Sequence, residues 1–81
     1  MNELERRTRL LELGKRQIDI AQEMSDEFGI TLMSAKVVVS EMISGRDFYP
    51  KYAKWLKDKY KIVIERPDWM KPFANRLQQA A

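Results

Sequence analysis

Residues 28–46 read "FGITLMSAKVVVSEMISGR", and the fold turns on how the three valines at 37–39 are read. β-Branched side chains favour the pleated surface of a strand. Yet Ala35, Val39, Met42 and Ile43 recur at i, i+4, i+7 and i+8, one stripe of a helix, and "KVVVSEMI" does not sustain the alternation a strand requires. Ser34 is placed to cap the N-terminus, and Gly45 sits just past the end. Three β-branched residues cost a helix roughly 1 kcal/mol in all. Burying Val39, Met42 and Ile43 returns about 1.5–3 kcal/mol for each side chain. The stretch is predicted to be a helix over about 34–44.

The same logic extends upstream. "NELERRTRLLELGKR" opens with Asn2 as an N-cap and Glu3 and Glu5 in the first turn, where the helix dipole favours acids. Leu4, Arg7/Thr8 and Leu11 follow a stripe with Leu10 beside it, and Gly14 suits a stop, so a first helix is predicted at 3–13. Arg6, Arg7 and Arg9 alternate with acids and read as a surface stripe. In "RQIDIAQEMSDEFG", Ile20, Ala21, Met24 and Phe28 form one apolar face, and Gly29 is the stop of a second helix over 16–28.

Downstream, "RDFYPKYAKWLKDKYK" reads as a turn, with Asp47 a candidate cap and Pro50 in the first turn of a fourth helix. Tyr52, Ala53, Leu56 and Tyr60 make its buried face, and Lys51, Lys54, Lys57 and Lys61 line another. "KIVIERP" is a strand candidate near 61–65, closed by Pro67. "DWMKPFANRLQQAA" has the pattern of a short C-terminal helix around 68–79, capped by Asp68 and weakened by Pro72. The expectation is an all-α domain of four to five helices over 1–60, with an extension at 61–81.

Eighty-one residues, 44% hydrophobic and 33% charged, describe one folded domain with a modest core. With no cysteine and no histidine, disulfides and thiolate or imidazole metal sites are excluded. No acidic cluster has the spacing of a calcium loop, and no cofactor is expected. No apolar run reaches transmembrane length, and "MNELERRTRL" is unlike a signal peptide. No nucleophile–base pair or glycine-rich phosphate loop can be assembled, so an enzyme is not expected. The net charge of +3 is uneven: residues 1–44 carry six basic and eight acidic side chains, residues 45–81 nine and four. The second half is the anion-facing side, though a basic surface can also serve solubility alone.

Helices 2 and 3 are short, adjacent and joined by a glycine-containing turn, the logic of a helix-turn-helix whose second helix enters the DNA major groove. With Val39 turned inward, the outer side of helix 3 presents Ser34, Val37, Ser40, Glu41 and Ser44, flanked by Lys36 and Val38. Short hydroxyls and exposed valines suit close approach to another surface, including packing against a thymine methyl. The alternative is that a loop or a partner protein covers Val37 and Val38. Glu41 can accept from cytosine N4, or simply face solvent or an intramolecular partner. Trp55 and Trp69 read as packing residues, and the lysines of helix 4 as a solvated face from which Lys51 and Lys54 can reach phosphates.

"LLELGKRQIDIAQEM" and "SAKVVVSEMISGR" together resemble the phage lambda repressor/Cro-like (XRE) helix-turn-helix family over about residues 4–60. The resemblance implies a lambda repressor-like DNA-binding domain, acting as a transcription regulator in a bacterial cytoplasm from a phage or prophage. Gln17 stands where that family opens helix 2 with a glutamine that supports phosphate contact, next to Arg16. Ala21 matches the alanine that lets helices 2 and 3 approach, Val39 the buried valine, and Gly45 the closing glycine, followed by Arg46. The departure is "SDEFGITLM" at 25–33, several residues beyond the compact motif, on which the orientation of helix 3 depends.

The expected interface is therefore Arg16, Gln17, Arg46 and Lys51 on phosphates, with Ser34, Lys36, Val37, Val38, Glu41 and Ser44 along the recognition helix. A homodimer on a pseudo-palindromic operator is expected, with residues 60–79 as the candidate dimer element through "KIVIE" or a Trp69–Phe73 patch. The rival reading is a helix-turn-helix scaffold that grips a protein partner such as a polymerase subunit or another regulator.

Overall fold

The computed structural model describes residues 1–65, and the four helices within them form a single all-α unit: α1 (Glu3–Leu13), α2 (Gln17–Phe28), α3 (Leu32–Ser44) and α4 (Pro50–Tyr60). The suggested C-terminal helix at 68–79, with Trp69 and Phe73, lies outside the described residues.

Helix α1 starts where Asn2 Oδ1 accepts from the Glu5 amide at 2.8 Å and Glu5 Oε1 accepts from the Asn2 amide at 3.1 Å, a reciprocal capping box. It stops at Gly14, whose φ of 66° takes the left-handed turn so that Lys15 N donates back to Leu10 O at 3.0 Å. The face it buries corrects the expected stripe. Arg6 and Leu10 are buried and Leu13 packs on the core, whereas Leu4 and Leu11 are 73% and 80% exposed. At about 100° per residue these two sets lie on opposite sides of the helix, so α1 is rotated half a turn from the leucine-rich reading.

Arg6 is thus no surface residue. Its Nε donates to the carbonyl oxygen of Ile43 at 2.8 Å, and Nη1 donates to the carbonyl of Met1. The C-terminal carbonyls of α3 lack intrahelical partners and carry the negative end of the helix dipole, so a buried guanidinium is satisfied there. Desolvation lowers its pKa, and Glu3 and Glu65 oppose that shift.

Helix α2 ends at Gly29 (φ 67°), and the turn to α3 is held by Ser25 Oγ, which donates to Ile30 O at 2.6 Å. The extra residues 25–33 are absorbed as the last turn of α2, a three-residue turn and the first residues of α3. The cap of α3 is Thr31, not Ser34: Thr31 Oγ1 accepts from the Ser34 amide at 3.1 Å, which makes Ser34 the third helical residue. At α4, Tyr49 is the cap position and Pro50 the first residue, while Asp47 Oδ1 accepts from the Phe48 amide at 2.7 Å.

The core is contributed by every element: Leu10 of α1, Ile20, Ala21 and Met24 of α2, Ala35, Val39, Met42 and Ile43 of α3, and Ala53, Leu56 and Tyr60 of α4. The four α3 residues are those of the sequence stripe. α2 and α3 form the closest helix pair, and Ala21 and Ala35, both fully buried, suit close approach of the two backbones. No helix among the described residues is long and apolar enough to cross a membrane.

The strand expected near 61–65 does not form. Lys61 takes the left-handed conformation (φ 59°), and the chain then runs extended along the core, with Ile62 completely buried and Ile64 9% exposed. β-Branched residues favour extended backbone, but a strand needs a partner edge, and none exists among the described residues. "KIVIE" is a hydrophobic strap on its own domain, and the packed unit runs past α4.

Candidate nucleic-acid interface

The N-terminus of α2 and the outer face of α3 converge on one side of the domain. Two adjoining shallow grooves mark that side. One is lined by Gln17, Ile18, Lys36 and Ser40, the other by Lys36, Val37, Ser40, Glu41, Arg46 and Asp47. Lys36 and Ser40 belong to both, so the surface is continuous from the start of α2 to the turn after α3.

Val37 is 49% exposed, whereas Val39 is 1% exposed two residues later, so opposite faces of the same helix serve the groove and the core. Val38 lies between, packed partly against the core. Ser44 is also drawn inward: its Oγ donates to Glu41 O at 3.1 Å and accepts from Arg46 Nε at 3.1 Å, which aims the exposed Arg46. Arg46 follows Gly45, whose positive φ of 79° lets Arg46 N donate to Glu41 O at 2.9 Å and closes α3.

The acids of the groove are engaged by the chain itself. Tyr49 Oη donates to Glu41 Oε2 at 2.7 Å, and that bond is the largest cause of the Tyr49 phenol being pushed up to about 12. Asp47 is tied to the Phe48 amide. Lys36 and Arg46 remain as exposed cations, and the groove presents two positive charges, valine methyls and a serine hydroxyl over fixed carboxylates.

Of the residues expected at an interface, the grooves bring together Gln17, Lys36, Val37, Glu41 and Arg46. Arg16 is exposed beside them, but its guanidinium pairs with Asp19 at 3.3 Å and its backbone N–H donates to Asp19 Oδ2 at 2.8 Å. Those bonds, the backbone one first, hold the Asp19 carboxyl below its usual range. Ser34 is exposed and occupied in the Thr31 cap. Lys51 lines neither groove: its ammonium stands 5.0 Å from the Phe28 ring centroid and 5.9 Å from that of Tyr52. Ile18, Asp47 and Tyr49 complete the site beyond the expected residues, and Ser40, expected on the outer side of helix 3, lines both grooves. Ser40 was legible from the helical wheel; Tyr49 was not, because its hydroxyl reaches Glu41 from the loop before α4.

A second cluster covers the other end of α2. Phe28 stacks edge-on to Tyr52 at 4.9 Å and to Trp55 at 5.6 Å, and Trp55 to Tyr60 at 5.3 Å, which makes Trp55 the packing residue it was expected to be. Among the described residues no group of three acidic side chains is placed to hold a metal ion. What the fold and the grooves define is a four-helix all-α domain with a mixed cationic and apolar face on α3. No family model, curated protein or solved structure matches the chain.

Proposed function

We propose that this chain is a sequence-specific DNA-binding transcriptional regulator of the helix-turn-helix type, with α3 as the helix that enters the major groove. The observation that carries the reading is the outer face of α3. Val37 stands half-exposed between Lys36 and Ser40, Arg46 lies at one end, and the first turn of α2 lies alongside. Arg46 and Gln17 contact phosphates and fix the register, while Lys36, Val37 and Ser40 address base edges. Glu41, held through one oxygen by Tyr49, offers its carboxylate to cytosine N4 in a fixed direction. One such module buries little DNA surface, so a two-fold dimer on half-sites about 34 Å apart is the working form.

Fluorescence anisotropy on duplex DNA over a salt series tests this. Wild type is expected to bind with an affinity that falls as salt rises, and Arg46→Ala to lessen the salt slope by about one phosphate's worth. Val37→Glu, with its side chain on the outside of α3, is expected to weaken binding about ten-fold or more without unfolding the domain. The reading fails if wild type does not bind at low salt, or if both variants bind as well as wild type.

A second reading has its own observation. Met33 is 78% exposed and Leu32 37% exposed, one turn before Val37, which gives the start of α3 an apolar character suited to a protein partner. A complex formed through these three side chains would be insensitive to salt and lost in Met33→Glu, whatever Arg46 is replaced by.

A further inference from the structure

Leu4 and Leu11 lie on the side of α1 that faces away from the core, with the exposed Thr8 between them. Met1, Leu4, Thr8, Glu12 and Lys61 edge a groove along this side. Two leucines exposed at 73% and 80% on one helix face leave apolar area in water that a contact of about 25 cal/mol per Å² would favour covering.

Where the described chain ends says what is nearest to hand. Glu65 Oε1 pairs with the Met1 ammonium at 3.3 Å, and Met1 edges the groove, so the last described residue is tied to the groove's edge. Sixteen residues follow, and Trp69, Met70, Phe73 and Leu77 among them are spaced i, i+1, i+4 and i+8, one apolar stripe. Leu4 and Leu11 are about 10 Å apart along α1. The residues from 66 to 69 span up to roughly 13 Å, enough to bring Trp69 to Leu4 and let the rest run toward Leu11. A tether this short sets an effective concentration in the millimolar range for the same chain's segment, well above that of a second copy in dilute solution.

We propose that the segment Trp69–Leu77 docks on the Leu4–Thr8–Leu11 face of α1 in its own chain. The stripe is then a seat for the C-terminal segment, and the side of the domain bearing Val37 is left open. The proposal does not depend on DNA binding, and its test contains no DNA.

The chain has no cysteine, so Asn75→Cys in the full chain gives one attachment point for a nitroxide spin label. In dilute isotope-labelled protein, loss of amide signal confined to residues around 4–12, restored on reducing the nitroxide, is the expected result. A mixture of spin-labelled, isotopically plain chain with isotope-labelled, spin-free chain should show no loss. The double variant Leu4→Glu/Leu11→Glu touches only exposed side chains; it should abolish the effect while the core amides keep their dispersion. Undiminished signals at 4–12, loss in the mixed sample (a second copy's segment on the face), or persistence of the effect in the double variant would each overturn the proposal.

Discussion

Arg6 shows how a single side chain can join two helices. It is 6% exposed and donates to Ile43 O at the end of α3 and to Met1 O. Hydrogen bonds from a charged donor are worth about 1.5–3 kcal/mol when their loss strands a buried acceptor. Arg6→Met, which keeps the aliphatic volume, should therefore lower stability by about 1.5–3 kcal/mol in urea unfolding. An arginine on the surface would give less than about 0.5 kcal/mol. The sequence hid this residue because three arginines spaced among acids look alike, and only the position of the last α3 carbonyls distinguishes Arg6 from Arg7 and Arg9. Val37 and Val39 were legible for the opposite reason: two residues apart on a helix they differ by about 200°, so burying one exposes the other.

Among the elements, the helices were readable wherever a glycine or a capping side chain closed them. Gly14, Gly29 and Gly45 all adopt the left-handed turn expected of them, and α1 has the predicted bounds. Ambiguity arose where two residues could do the same work. Thr31 and Ser34 both carry hydroxyls three positions apart, and the chain uses Thr31 as the cap because Leu32 and Met33 extend the helix backward. Thr31→Ala should cost about 1 kcal/mol in thermal or chemical unfolding. Ser34→Ala should cost only a few tenths, since the Ser34 amide keeps its acceptor. "KIVIE" misled because propensity describes a residue's backbone preference, whereas a strand is a pairing. Lys61 turns the chain back onto its own helices, and burial of Ile62 and Ile64 replaces the ladder.

At the scale of the whole molecule, Glu23 ties the first corner to the last helix. Lys15 Nζ donates to its Oε2 at 2.8 Å and Lys59 approaches Oε1 at 3.4 Å, while the buried Tyr60 phenol beside it is pushed up by burial and by this carboxylate. The bond from Lys15, outweighing desolvation, holds the Glu23 carboxyl below its ordinary value. A carboxyl depressed on folding stabilises fully above the unfolded value of about 4.3 and loses that contribution as pH falls through its folded value. Glu23→Gln should thus be less stable than wild type at pH 7 by about 0.5–1 kcal/mol, with the gap narrowing below about pH 4. Stability measured by urea unfolding at pH 7, 5 and 3 checks the sign; a gap that widens in acid would contradict it.

The closeness of Arg6 to Gly45 has a consequence for how this chain can vary. A Cβ at residue 45 would sit 3.1 Å from Arg6 Nη2, on backbone that already disfavours any side chain at φ 79°. The two positions are therefore not free to drift separately. A side chain at 45 would have to push the Arg6 guanidinium aside by a few tenths of an ångström as well as accept the left-handed backbone, and a displaced Arg6 loosens its bond to Ile43 O at the end of the helix bearing Val37. A lineage that departs from glycine here would therefore disturb the end of the very helix on which its surface chemistry is displayed.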